Sequence, residues 1–236
     1  MVLWMQRRLP VVQKLRAVAA GIVGALALMG ACAAQPSVEV DEMFQAAVAN
    51  QAHAIRRLVA AGVPLDVRNA AGATPLLVAT HHNSVDAAAA LIEAGADVNA
   101  KDHIQDSPYL YAGARGHLDI LKMTLAHGAD VRSLNRYQGT ALIPAAERGH
   151  VQTVQVLIRA GVDVDHVNKL GWTALIEAII WGNGGRAHQQ IVQALVEAGA
   201  NLNLADPQGR TPLVLARAHG YKAIEKILND AGAREP

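Results

Sequence analysis

Thr74-Pro75-Leu76 opens a short phrase that returns along the chain as Ser107-Pro108-Tyr109, Thr140-Ala141-Leu142, Thr173-Ala174-Leu175 and Thr211-Pro212-Leu213. The steps between phrases are 33, 33, 33 and 38 residues. A second landmark keeps the same interval: Gly62, Gly95, Gly128, Gly161, Gly199 and Gly232 step by 33, 33, 33, 38 and 33. Two independent markers that share a period and a single irregularity define a stacked array of repeats.

Each unit has a local physical reading. The Thr or Ser offers a side-chain oxygen to the free N–H groups of a helix start, and proline suits the first helical position. Short first helices are expected at about 76–80 and 142–148. They stop near Gly116, Gly149, Gly182 or Gly220, or at Asn83, residues that tolerate a left-handed turn. A second helix follows with apolar spacing, as in Val151, Val154, Leu157 and Ile158, or Ile191, Val192, Leu195 and Val196. A glycine closes it, and the chain turns outward through Gly95-Ala96-Asp97-Val98-Asn99 and its echoes from Gly128, Gly161 and Gly199.

Thr74-Pro75-Leu76, Ala114-Arg115-Gly116-His117, Ala145-Ala146-Glu147-Arg148-Gly149-His150 and Glu93-Ala94-Gly95-Ala96-Asp97-Val98-Asn99 together resemble the signature of the ankyrin repeat. The resemblance spans about residues 39–236. It implies an all-α repeat solenoid of about six stacked helix-turn-helix units with β-turn fingers along one edge. The units are a capping unit at 39–68, repeats at 69–101, 102–134, 135–167 and 168–205, and a capping repeat at 206–236. Phe44, Ala47, Ile55, Leu58 and Gly62 keep phase in the first cap. Lys222, Glu225, Lys226 and Asp230 give the last unit a polar outer helix.

Composition agrees with thin layers of packed helices. Aromatics are only 3% of the residues and alanine is plentiful, so the core consists of small and aliphatic side chains. The single cysteine, Cys32, excludes an internal disulfide framework and a multi-cysteine zinc site. The net charge of +1 hides an uneven distribution. Four of the 21 Lys and Arg residues (Arg7, Arg8, Lys14, Arg16) precede residue 17, and no acidic residue precedes Glu39. The remainder carries 17 positive against 20 negative charges. A mildly acidic body gives no electrostatic reason to bind nucleic acid.

The basic leader continues into an uncharged apolar run at 17–29 and then into small residues, the pattern of an export signal covering residues 1–34. An apolar run of 13 residues is too short to cross a bilayer. Two processing readings stand. Ala31-Cys32-Ala33 or Cys32-Ala33-Ala34 suits ordinary signal peptidase, whereas Met29-Gly30-Ala31-Cys32 resembles a bacterial lipoprotein box, with Cys32 lipidated. Either places the protein in the periplasm or lipid-anchored in the bacterial envelope, with no membrane contact other than such a lipid.

Departures from the repeat's own pattern mark candidate sites. Five extra residues, Asn183-Gly184-Gly185-Arg186-Ala187, separate the two helices of the fifth unit; they form either a tolerated surface loop or a backbone cradle for an anion. Glu177 occupies a position held elsewhere by Val78, Tyr111, Pro144 and Leu215, so it should face inward and bond backbone groups of the adjacent finger. His117, His150 and His188 share one slot and are expected to be structural. His81, His82, His103 and Asp106 fall in the groove of adjacent units and carry an alternative, metal-dependent or enzymatic reading, though no His-Glu motif fixes a geometry.

The resemblance implies that partners meet the fingers and first helices. On those positions stand Arg115, Arg136, Tyr137, Arg148, Leu170, Trp172, Ile180 and Trp181, the expected partner-binding residues. Three of the seven aromatics after the leader are among them, and Trp and Arg dominate the energetic centres of interfaces. The expected function is a protein–protein interaction scaffold that acts as a monomer on another protein, without catalysis or cofactor. A structural or protective envelope protein with no single partner is the remaining alternative.

Overall fold

A computed structural model describes residues 38–234; the leader, Cys32 and both cleavage readings lie outside them. The described residues form twelve helices and no strand. They come in pairs: α1 (Val38–Val48) and α2 (Ala52–Ala60), α3 (Pro75–His81) and α4 (Val85–Glu93), α5 (Pro108–Arg115) and α6 (Leu118–Ala126), α7 (Leu142–Glu147) and α8 (Val151–Arg159), α9 (Ala174–Ile180) and α10 (Arg186–Glu197), and α11 (Pro212–Ala218) and α12 (Lys222–Asp230). First helices stack on first helices, from α1 through α3, α5, α7 and α9 to α11, and second helices stack in the same order beside them. One continuous buried layer of Leu, Ile, Val and Ala runs through all six pairs. No unit encloses its own apolar face, so stability comes from neighbour contacts. In the first cap Met43 is enclosed and Phe44 is only half-buried.

Helix starts follow the sequence in four repeats of five. Thr74, Ser107, Thr173 and Thr211 each accept a hydrogen bond from the backbone N–H three residues on, at 3.2–3.4 Å. Thr140 does not cap its helix: its hydroxyl is buried without a partner, and α7 begins only at Leu142. Pro144 is the cause. In the other repeats the residue four past the cap (Val78, Tyr111, Glu177, Leu215) donates its N–H to the cap carbonyl. Proline has no N–H to give, so the helical ladder starts one residue later, with Ala145 N–H donating to Ala141 O.

The five-residue insertion forms less loop than expected. Arg186, Ala187 and His188 lengthen α10 to 12 residues, and the connection is 181–185. Gly184, not Gly182, takes the left-handed conformation, at φ 65°. Gly182 is required for another reason: a Cβ there would lie 2.0 Å from the Ala178 carbonyl oxygen. Asn183 Oδ1 accepts the Gly185 N–H at 2.9 Å, Tyr221 donates its hydroxyl to Gly182 O at 2.8 Å, and the Tyr221 ring covers Gly184. The Gly185 amide is therefore already bonded within the loop, and Tyr221 packs over the connection.

Each finger is closed by one side chain. Asn69, Asp102, Asn135, Asn168 and Asp206 each accept two backbone N–H bonds, from residues two and four positions on, at 2.8–3.1 Å. This clamp holds the fingertip as an Asx-type turn. It fixes the direction in which each fingertip presents its side chains.

Candidate protein-binding groove

The fingers and first helices of the three middle repeats border a groove of about 490 Å³. Seven of the eight residues expected from sequence line it: Arg115, Arg136, Tyr137, Arg148, Leu170, Trp172 and Trp181. Ile180 does not; it is partly covered and packs against the buried core from the last turn of α9. At 3.6 residues per turn the next position, Trp181, points about 100° away, which takes it over the groove.

The two indoles meet edge to face, with ring centroids 6.2 Å apart. Trp172 is partly buried against the core, while Trp181 is 61% exposed. Tyr137 is held between two cations: the Lys169 Nζ lies 4.8 Å from its ring centroid and the Arg136 guanidinium 6.0 Å away. Each groove arginine also has a bond within the chain. Arg115 donates through Nε to the Tyr111 hydroxyl at 3.1 Å, Arg136 pairs with Asp106 at 3.1 Å, and Arg148 donates to Ala114 O at 2.7 Å. Glu147 is the carboxylate nearest Arg148, at 4.0 Å. These bonds order the guanidiniums while leaving all three exposed.

The model of the family described as ankyrin repeats (3 copies) matches residues 15–102 and 109–206. The chain belongs to the ankyrin-repeat family. Among solved structures, it is similar to an ankyrin repeat domain from Acinetobacter baumannii, with 61% identity over 81% of this chain and 98% of that one and a TM-score of 0.79. It also resembles a second ankyrin repeat protein at 41% identity, covering 80% and 97% of the two chains with a TM-score of 0.77. The ankyrin repeat domain of Bcl-3, a member of the IkappaB protein family, is 29% identical over 82% and 86% of the two chains, with a TM-score of 0.73. No curated protein matches the sequence. Ankyrin repeats generally mediate protein–protein interaction and are typically non-enzymatic binding domains.

Within this ankyrin-repeat protein Glu177 sits under the groove, 6% exposed. Its contact differs from the backbone bond expected from sequence. Asn168 Nδ2 donates to Glu177 Oε1 at 2.8 Å, and the other end of the same amide clamps the finger by accepting from Leu170 and Trp172. Glu177 thus stiffens the finger of its own unit through Asn168. Burial, with Glu147 adding repulsion, pushes its carboxyl up to about 7 against the opposing Asn168 hydrogen bond and Arg148 charge.

The expected histidine group is rearranged. His82 and His103 are exposed and lie outside the cluster, with His103 lying over Gly72, while Asp102 joins His81 and Asp106, ligand atoms within 4.8 Å of one another. One Asp102 oxygen serves the finger clamp, and Asp106 is paired with Arg136. A cation here would compete with a guanidinium for the same carboxylate. Of the slot histidines, His188 bonds Glu147 O at 3.0 Å and Asn183 Oδ1 at 3.2 Å; its ring packs on Gly149 much as the His150 ring packs on Gly116.

Sequence reasoning passed over Asp102, Asn135 and Asn168, the clamps that orient the groove. Their signal was present: Asn69, Asp102, Asn135, Asn168 and Asp206 step by 33, 33, 33 and 38, like the caps.

Proposed function

We propose that this ankyrin-repeat protein is a protein–protein interaction scaffold that holds its partner in the groove between the fingers and first helices of the middle repeats. One observation carries the reading: seven residues chosen by repeat position converge on one groove, where Trp181 stands exposed against a second indole. A large aromatic left 61% exposed beside ordered guanidiniums, its one ring contact among the described residues being Trp172, adds little to packing and matches the make-up of interface centres. The test is site-specific photo-crosslinking in the producing cell, with a benzophenone side chain replacing Leu170 or, on the second-helix side, the exposed Gln190. Adducts to one protein from position 170 and none from 190 are expected. Equal labelling from both positions would instead favour a structural protein without a single partner.

We further propose that the protein works in the bacterial envelope after export. The basic leader, the short apolar run and the small residues around Cys32 support this, as does the 61% identity to a bacterial domain. Wild-type protein is expected to begin either at Cys32 with lipid attached or near Ala34–Gln35 without it. Cys32→Ser, followed by fractionation and mass measurement, separates the two. Unchanged processing and a soluble periplasmic product would rule out lipidation, whereas full-length wild-type protein in the cytoplasm would sink export altogether.

A further inference from the structure

The repeat places equivalent side chains in rows, and two such rows run past the groove; Tyr137 and Leu170 of the first line it, with Ile104 continuing that row beyond its edge. The first lies three residues before each capping position and runs along the fingertips: Ile104, Tyr137 and Leu170, which are 50%, 49% and 43% exposed. The second lies eight residues after each capping position, at the ends of the first helices: Arg115, Arg148 and then Trp181. One row is apolar. The other is cationic for two units and turns aromatic in the third. The rows stand at opposite ends of the same first helices, so a chain crossing those helices has one row on each side.

The cations on the helix-end row are available. Arg115 bonds only the Tyr111 hydroxyl and has no ion-pair partner among the described residues. Arg148 is tied to a backbone carbonyl, with Glu147 no closer than 4.0 Å. Of the groove's other carboxylates, Asp106 is occupied by Arg136, and Glu177 lies buried on Asn168. Of the three guanidiniums on the groove, Arg115 and Arg148 therefore have no carboxylate closer than 4.0 Å among the described residues, in a body that is net negative, with 17 positive against 20 negative charges beyond the leader. The groove lining also carries Asp106, Glu147 and Glu177, but a guanidinium left without a close carboxylate in a cleft of a net negative body concentrates ligands of complementary charge.

Resting on the protein-binding reading above, the geometry points to an extended, acidic segment of the partner, in which carboxylate side chains alternate with apolar ones. Side chains of an extended chain point alternately to opposite sides. Such a segment directs apolar side chains to Ile104, Tyr137 and Leu170 and carboxylates to Arg115 and Arg148, and places an apolar or aromatic side chain beside Trp181. Stacked helices are spaced roughly 8–10 Å apart, so crossing from the finger of Ile104 to that of Leu170 takes about six residues at about 3.3 Å each.

The test is selection of an unbiased phage-displayed 12-residue peptide library on the purified full chain, followed by titration of the selected peptides as synthetic, labelled probes. Expected peptides carry Asp or Glu alternating with aromatic or aliphatic residues. Their affinity should fall at least about tenfold in Arg115→Glu/Arg148→Glu, and more than threefold in Arg115→Glu alone, a surface change that leaves the Arg148 tether intact. The double variant, selected in turn, should enrich basic peptides. Selected peptides without acidic residues, acidic peptides that bind both variants as tightly as wild type, or apolar residues recurring at helical spacing would each overturn this inference while leaving protein binding standing. Failure to enrich any peptide would overturn this inference, whereas the protein-binding reading stands or falls on the crosslinking from positions 170 and 190.

Discussion

Replacing Trp181 with alanine is expected to weaken partner binding at least about 30-fold, the equivalent of about 2 kcal/mol for a central interface anchor, with little change in thermal stability. The reason is its placement. Trp181 is 61% exposed and touches Trp172 edge to face, so the stack of repeats loses little when it is truncated. A partner covering the indole gains the burial of a large apolar surface held at low conformational cost. Trp172→Ala should behave differently. Trp172 packs partly against the core, so its loss should lower both the melting temperature and the affinity. Titration of the protein captured from position 170, alongside thermal melts followed by circular dichroism, checks both variants. Trp181→Ala that binds normally, or that melts many degrees lower, would mean that the exposed indole is not an interface anchor.

Glu177→Gln is expected to stabilise the protein at pH 8 and to leave it nearly unchanged near pH 4.5. The carboxyl's value is raised from 4.5 to about 7 in the folded chain, first by burial and then by Glu147. The folded state therefore holds the proton more tightly than the unfolded state. Stability falls as pH rises from about 4.5 to about 7 and is level above that range. The full effect is about 3 kcal/mol, or roughly 6–12 °C in melting temperature for a chain of this size. Glutamine keeps the oxygen that accepts from Asn168 Nδ2, so the finger clamp survives while the buried charge is removed. Melts from pH 4.5 to 8.5 should show a sloping wild type and a flatter variant, the two curves meeting at the acid end. Parallel curves would show that Glu177 ionises like an exposed carboxylate.

Periodicity made most of the fold legible. The 33-residue interval of caps and glycines carries the helix pairs, their order and the single irregularity, because each unit must present the same face to its neighbours in order to bury it. The same periodicity put seven of the eight expected residues on one groove, since equivalent positions in a regular stack point the same way. It also marked Glu177 as inward-facing, by comparison with its apolar counterparts.

Contacts between units were decided only by the tertiary structure, whereas one departure from the average repeat is local in origin. The missing N–H of Pro144 moved the start of α7 past Thr140. Arg186 to His188 joined a helix, and Tyr221, 37 residues beyond Gly184, packs over the connection that remained. Ile180 leaned on the core while its neighbour Trp181 reached the groove. Asp102, rather than His82 or His103, joined His81 and Asp106 because its side chain closes the finger, which turns it inward. The sequence alone determined which positions are equivalent, since local caps, glycines and apolar spacing suffice to set a repeat. Apart from the Asn168–Glu177 bond within one unit, which of those positions share a bond or a groove depended on neighbours about 30 to 40 residues away, whose approach is set by packing across the stack.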